Sequence, residues 1–273
     1  MTALDAAQIR RTLMRRSAPH LDRIEVFSRI DSTNTYLKDQ PSPPPGQFRI
    51  VIADHQTAGR GRRDRSWISS PGGSLCLSLS YRFKETPPQI SSLTLALGTG
   101  IADVLANMGL KGIQLKWPND LLIGNAKLGG ILTESIIRSP NDVTVIAGIG
   151  INVAMLPEGD ERLPSDWADT VTSLESAMEN PPSLERLSEI VIESLMSTFG
   201  VFETNGFAAF ATHFADYDWL AGKSLVIETP EGSVTGMASG IGDDGALLVR
   251  TESEVRKIHT GSVTQVSEPD ASS

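Results

Sequence analysis

Over residues 74–83 apolar and polar positions alternate, with Leu75, Leu77, Leu79 and Tyr81 at one parity and serines plus Cys76 at the other. Successive strand side chains point to opposite faces, so the pattern predicts a half-buried β-strand. Shorter β-rich runs predict strands at 24–30 and 50–54, separated by a proline-rich loop at 41–46. The apolar stretch at 93–110 follows serines suited to capping and contains Asp103 and Asn107, which predicts a buried helix over 92–108 rather than a membrane span. Further strands are expected at 113–117, 120–123, 127–137 and 142–153, with Gly124 and Asn125 as a hairpin turn. Residues 155–172 lack periodicity and predict a long loop, followed by helices near 183–199 and 206–215. After about residue 220, short strands at 223–229, 233–241, 246–251 and 254–259 alternate with turn residues, as in a small antiparallel barrel or sandwich.

These elements predict an α+β chain with a mixed-sheet main domain at 24–220 and a small β-domain at 221–267. A helical extension at 1–23 and a frayed tail at 268–273 complete it. The arginines of the extension suggest a transit peptide, but Asp5 and the direct run into a strand argue against one. A single cysteine excludes an internal disulfide framework and fits a reducing, cytoplasmic setting. The net charge of -9 argues against non-specific DNA binding, which needs broad positive potential.

Against that acidic background, Gly59, Arg60, Gly61, Arg62, Arg63, Asp64, Arg65, Ser66 and Trp67 concentrate four arginines on a glycine-punctuated loop. Guanidinium forks suit phosphate and carboxylate oxygens, and glycines let the backbone approach them. A solvated basic loop or a nucleic-acid patch is the alternative. Asp31, Ser32, Thr33 and Asn34 offer small polar side chains that suit either a helix N-cap or a ligand contact. Gln56 suits a ligand amide or a turn. Lys116, Trp117, Pro118, Asn119 and Asp120 place a proline between two strands, so their polar groups belong at a rim. Lys127, followed by Gly129 and Gly130 in an apolar strand, reads as a ligand-facing ammonium or as an edge lysine with a glycine bulge. Gly148 and Gly150 alternate with isoleucines, which clears one strand face and predicts that something flat or bulky lies on it.

Taken in order, Ser32–Asn34, Gln56 with 59–67, 116–120, 127–132 and 148–152 closely resemble the blocks of bacterial biotin–protein ligases, and the resemblance runs from about residue 24 to 266. It implies a mixed-sheet catalytic domain of the biotin/lipoate ligase type with a Src-homology-like C-terminal β-barrel. It implies that biotin and ATP form biotinyl-5′-adenylate, from which biotin passes to a lysine of a biotin carboxyl carrier protein domain, with magnesium bridging phosphates. On that resemblance Lys127, Arg62 and Arg60 are catalytic. Ser32, Thr33, Asn34, Gln56, Gly59, Arg60, Arg62, Trp67, Lys127, Gly130, Leu132, Gly148 and Gly150 match biotin-side positions. Arg62, Arg63, Arg65, Trp67, Lys116, Asn119, Asp120, Lys127, Asn152 and Trp167 match nucleotide-side positions; no metal ligand is assigned directly. Asp64 stands where the family often has glycine. Gln265 and Val266 stand where an arginine is common, which puts a nucleotide role for the C-terminal domain in doubt. The short stretch before the first strand leads to the expectation of no DNA-binding domain and no repressor role. A lipoate–protein ligase and a non-transferring biotin- or adenylate-binding regulator are the competing readings. Oligomeric state stays open between monomer and weak homodimer.

Overall fold

The computed structural model describes residues 5–156 and 170–267. Seven strands form the main sheet: β1 (Leu21–Phe27), β2 (Phe48–Ala53), β5 (Ser74–Arg82), β6 (Ile113–Lys116), β7 (Asp120–Ile123), β8 (Ala126–Ser139) and β9 (Asp142–Asn152). Their order is β1-β2-β5-β9-β8-β7-β6. β1 and β2 are parallel and all other neighbours antiparallel, which makes the sheet mixed. Two-residue strands β3 (Gly59–Arg60) and β4 (Ser66–Trp67) pair across the arginine loop.

Parity assigns the two sheet faces. Ile50 and Ile52 of β2, Leu75, Leu77 and Leu79 of β5 and Val145, Ala147 and Ile149 of β9 enter the main core. There they meet α1 (Ala6–Ser17), α3 (Leu93–Asn107) and α5 (Leu184–Asn205). Ile9 and Leu13 of α1 are fully buried in that same core. By length and composition the stretch Ile90–Asn107 could cross a membrane, but here it is the core helix that the sequence predicted. Ser92 caps it differently from expectation, because its hydroxyl donates to the Gln89 carbonyl and makes no side-chain cap bond.

The opposite sheet face carries α2 (Thr33–Lys38), with a small apolar cluster of Leu37, Val51 and Ile146. This corrects the half-buried expectation for β5. Both of its faces are buried: Ser74, Cys76, Ser78 and Ser80 are buried too, with Ser78 bonded to Thr33 and Asn34 of α2 and Cys76 beside Trp67, Ser69 and Gln56. Alternation there marks a change from large apolar to small side chains, with burial on both sides.

Beyond residue 170 come α4 (Leu174–Ala177), a short helix capped by Ser173 that periodicity missed, then α5 and α6 (Ala211–Tyr217). The C-terminal strands β10 (Ser224–Thr229), β11 (Gly232–Ile241), β12 (Leu247–Arg250), β13 (Val255–Ile258) and β14 (Ser262–Ser267) form an antiparallel sheet in the order β13-β12-β11-β10-β14. Leu225, Ile227, Val234, Ala238, Leu247, Val249 and Ile258 are buried side chains of these strands, and they join the main core.

Candidate functional site

A cavity of about 210 Å³ opens on the α2 face of the sheet. Its polar end is built at the start of α2. Ser32 is the N-cap, with its hydroxyl accepting from the Thr35 amide at 3.4 Å. Capping leaves Thr33 and Asn34 on the first turn, where both are buried. The Thr33 amide and hydroxyl donate to Gln56 Oε1 at 2.7 and 3.0 Å. Ser78 Oγ lies 2.7 Å from Thr33 Oγ1 and 2.6 Å from Asn34 Oδ1. The two hydroxyl protons of Thr33 and Ser78 serve three oxygen–oxygen contacts, so this cluster carries surplus acceptor capacity. Asn34 Nδ2 donates to Leu132 O at 3.3 Å and to Glu134 at 3.1 Å.

Gly148 and Gly150 line the cavity, but the face they clear is occupied by the protein itself. A Cβ on Gly148 would stand 2.2 Å from Asn34 Oδ1, and one on Gly150 would stand 2.5 Å from the Trp67 indole. The glycines seat Asn34 and Trp67 against the sheet, so the flat group expected on that strand face is the protein's own indole. Gly59 lies outside the cavity wall; a Cβ there would come within 2.4 Å of the Trp67 carbonyl, so it serves the β3–β4 pairing.

The other end is cationic. Lys127 Nζ lies 2.6 Å from Asp120 Oδ1. Regular alternation would put Lys127 at the parity of Ile131, on the core face, but the β7–β8 register shifts between Leu121 and Leu122. One extra residue flips the side chain. Lys127 Nζ thereby comes within 3.5 Å of where a Gly130 side chain would start, on the cavity side. The bulge of the second reading is present and aims the ammonium to the cavity side, but β8 is paired on both sides, so Lys127 is not an edge lysine. Arg62 donates to Asn119 Oδ1 at 3.1 Å, and Asn119 in turn donates to the Ile131 carbonyl at 3.0 Å. Burial lowers the Arg62 and Lys116 pKa values, with neighbouring cations adding to the effect and Asp120 opposing it. Those groups are therefore cations held partly out of water, where they interact strongly with an anion.

The arginine loop folds over the cavity. Arg60 pairs with Glu134 at 3.1 and 3.3 Å. Burial raises the Glu134 pKa, but bonds from Asn34 and Lys38 and the charge of Arg60 outweigh it, and the net shift is downward. At the loop tip Arg63 and Asp64 adopt φ of 53° and 58°. Aspartate tolerates that left-handed region better than most residues, which explains how it stands where glycine is common. Arg63 donates to the Ser262 hydroxyl, and Gly261, Ser262 and Val263 complete the cavity wall. The C-terminal domain thus reaches the site through its β13–β14 turn, while Gln265 pairs with Val226 inside the sheet and does not line the cavity.

Ser32, Thr33, Asn34, Gln56, Arg60, Arg62, Arg63, Arg65, Trp67, Lys116, Asn119, Asp120, Lys127, Gly130, Leu132, Gly148 and Gly150 line one cavity. Asn152 does not line it; its amide donates to the carbonyls of Lys127 and Thr172. Trp167 lies outside the described residues. Sequence reading missed Ser78, Glu134 and 261–263. Serine at the small-residue parity of β5 was the available signal for the first, whereas nothing local marks the others.

Residues 26–152 match the biotin/lipoate A/B protein ligase family, and 222–264 match the biotin protein ligase C-terminal domain. The bifunctional ligase/repressor BirA of Escherichia coli is 30% identical, over 88% of this chain and 73% of that protein. A biotin–[acetyl-CoA-carboxylase] ligase of Mycobacterium tuberculosis is 29% identical, over 89% of both chains. A structure of the Aquifex aeolicus biotin protein ligase in complex with biotin and ATP superposes with a TM-score of 0.74 at 26% identity, covering 91% of this chain and 100% of that one. With a polar network at one end of its cavity, cations at the other and both domains matched in order, the chain belongs to the biotin/lipoate A/B protein ligase family, in its biotin protein ligase branch.

Proposed function

We propose that the protein activates biotin with ATP to biotinyl-5′-adenylate and transfers biotin to a lysine of the biotin carboxyl carrier protein of acetyl-CoA carboxylase. The observation that carries this reading is the polarity of one cavity. A cyclic urea has two N–H donors, and the Thr33, Asn34, Gln56 and Ser78 oxygens offer acceptor capacity beyond their own protons. At the far end, Lys127, Arg62 and Lys116 offset the repulsion between a carboxylate and a triphosphate. In the first step a biotin carboxylate oxygen attacks the α-phosphorus, and the bond to pyrophosphate breaks. In the second an amine nitrogen attacks the acyl carbon, and AMP leaves. Arg60, Arg62, Arg63 and Arg65 on the overlying loop shield the anhydride from water. Trp67 forms the wall beside Gly150, and Gly130 and Leu132 of β8 line the cavity. Asn152 acts on the nucleotide side only indirectly, by holding the Lys127 backbone.

Among the described residues no group of three or more His, Cys, Asp or Glu gathers to hold a metal. Magnesium bound to nucleotide needs only one or two carboxylates besides phosphate oxygens, and Asp120 in the cavity wall suits that mode, where the ion would neutralise phosphate charge. We place the reaction in the cytoplasm, where the single free, buried Cys76 stays reduced.

Purified protein should exchange labelled pyrophosphate into ATP when biotin is added and should then label a carrier domain. Exchange that responds to lipoate and not to biotin would establish the lipoate ligase reading instead. Biotin binding with neither exchange nor transfer would establish the regulator.

A further inference from the structure

A second cavity, also of about 210 Å³, lies along the seam between the main and C-terminal domains. One side comes from the start of α3, at Ser91, Thr94 and Leu95; the other comes from Asp244 and Gly245 of the β11–β12 turn and His259 and Thr260 of the β13–β14 turn. The two cavities share Arg62, Trp117, Pro118, Asn119 and Ile131. The hydrogen bond from Arg62 to Asn119 sits in that common wall.

We propose that the seam cavity is the passage by which the acceptor lysine of the carrier reaches the acyl-adenylate. This rests on the adenylating function proposed above. While the adenylate fills the first cavity and the arginine loop covers it, the attacking amine needs a separate approach. The seam's lining suits a lysine side chain, which has a long apolar stem and a polar tip. Leu95, Trp117, Pro118 and Ile131 supply apolar surface for the methylenes. Thr94 and Thr133, 2.7 Å apart through their hydroxyls, supply acceptors along the way.

At the outer end stands the Asp244 carboxylate, which faces Lys257 at 3.0 Å and His259 at 3.9 Å. The Lys257 hydrogen bond is the largest influence on Asp244 and lowers its pKa, so it stays ionised. At the inner end Arg62 opposes an entering ammonium until an adenylate phosphate balances its charge. Entry is thereby ordered after activation. In the transfer itself the ammonium first releases a proton to solvent, and the neutral amine forms a C–N bond to the biotinyl carbon. The C–O bond to phosphate breaks, AMP leaves with the electron pair, and the second nitrogen proton follows to solvent through the passage.

Thr260 and Ser91 are exposed on opposite walls, so a bulky side chain at either narrows the passage without entering the core. Thr260→Trp and Ser91→Trp should leave biotin-dependent pyrophosphate exchange within about twofold of the unmodified protein and lower kcat/KM for the carrier at least tenfold. Hydroxylamine, a small neutral amine, should still discharge the adenylate at the unmodified rate. Asp244→Asn keeps the side-chain oxygen that accepts from the Ala246 amide and should raise KM for the carrier several-fold with exchange unchanged. Carrier biotinylation at the unmodified rate by the two tryptophan variants, or by Asp244→Asn should those lose exchange, overturns the passage. Absence of exchange in the unmodified protein overturns the ligase reading and takes the passage with it.

Discussion

The Lys127 ammonium and the Asp120 carboxylate lie 2.6 Å apart, and Lys127 is only about a third exposed. A substrate carboxylate or α-phosphate arriving there competes with Asp120 for that charge, so the pair is balanced before activation and shared during it. Removing one preorganised electrostatic contact of this kind typically slows a reaction about 10²–10³-fold. Lys127→Gln should therefore reduce biotin-dependent pyrophosphate exchange by about that factor, with a melting temperature within roughly 3 °C of the unmodified protein; a variant that exchanges normally would make Lys127 a structural partner of Asp120 and nothing more. Gly148 calls for a different expectation. Valine there would drive Asn34 out of its contacts with Ser78 and Glu134, because its Cβ would stand 2.2 Å from Asn34 Oδ1. Overpacking costs about 1–3 kcal/mol, and an orphaned buried amide costs a similar amount. Gly148→Val should thus lose at least tenfold in biotin affinity by calorimetric titration and several degrees in a thermal melt. Loss of binding alone, with stability untouched, would mean that ligand and not Asn34 uses the space.

At the scale of elements, α2 has six residues, too few to hold a helix without packing and a cap. Ser32 caps the helix and also lines the cavity, so the cap is compatible with a ligand contact. Removing a cap side chain costs about 1 kcal/mol, so Ser32→Ala should lower the melting temperature by roughly 2–4 °C for a protein of this size. Ser32→Asp keeps an N-cap acceptor and should melt near the unmodified protein, yet add negative charge at the acceptor-rich end and weaken biotin binding. If both variants bind biotin normally, the residue is a cap only.

The same elements show what sequence made legible. Period-two alternation located β5 because apolar parity decides which face enters the core, while β-rich runs located β2 and placed β1 three residues late. It could not show that the small face of β5 is covered as well, since serine and cysteine fit solvent or a tight contact equally. Gly129 and Gly130 marked a bulge, but where the register breaks, and so which face Lys127 takes, depends on β7. Glu134 and Ser262 join the site through residues 74 and 199 positions away, and such pairings leave no local trace. The family blocks, by contrast, were legible as a set because each is confined to a few consecutive residues.

At the scale of the whole molecule the two domains meet at 218–223, and that joint carries a titratable strain. Asp218 bridges to Leu115 of β6, the Trp219 amide donates to the Leu115 carbonyl, and Lys116 and Lys223 lie 5.0 and 3.9 Å from the Trp219 ring centroid. Burial pushes the Asp218 carboxyl from 3.8 up to about 6, against the lowering effect of the Leu220 and Ala221 amides. Because the folded pKa is raised, the folded state binds the proton more tightly than the unfolded chain. Stability is greatest below pH 3.8 as far as this group is concerned, declines as pH rises toward 6, and stays lower above it. A shift of that size corresponds to roughly 3 kcal/mol at neutral pH. An asparagine in place of Asp218 would keep an oxygen for the Leu220 amide, now bound at 3.0 Å, without the buried charge. Asp218→Asn should therefore melt roughly 5 °C or more above the unmodified protein at pH 7.5, and the gap should close as pH is lowered toward 4. Taking the difference between the two proteins cancels the other carboxylates of this chain of net charge -9. A gap that is absent at pH 7.5, or that widens on acidification, would show that the Asp218 carboxylate is compensated at the joint and that its burial does not destabilise the fold.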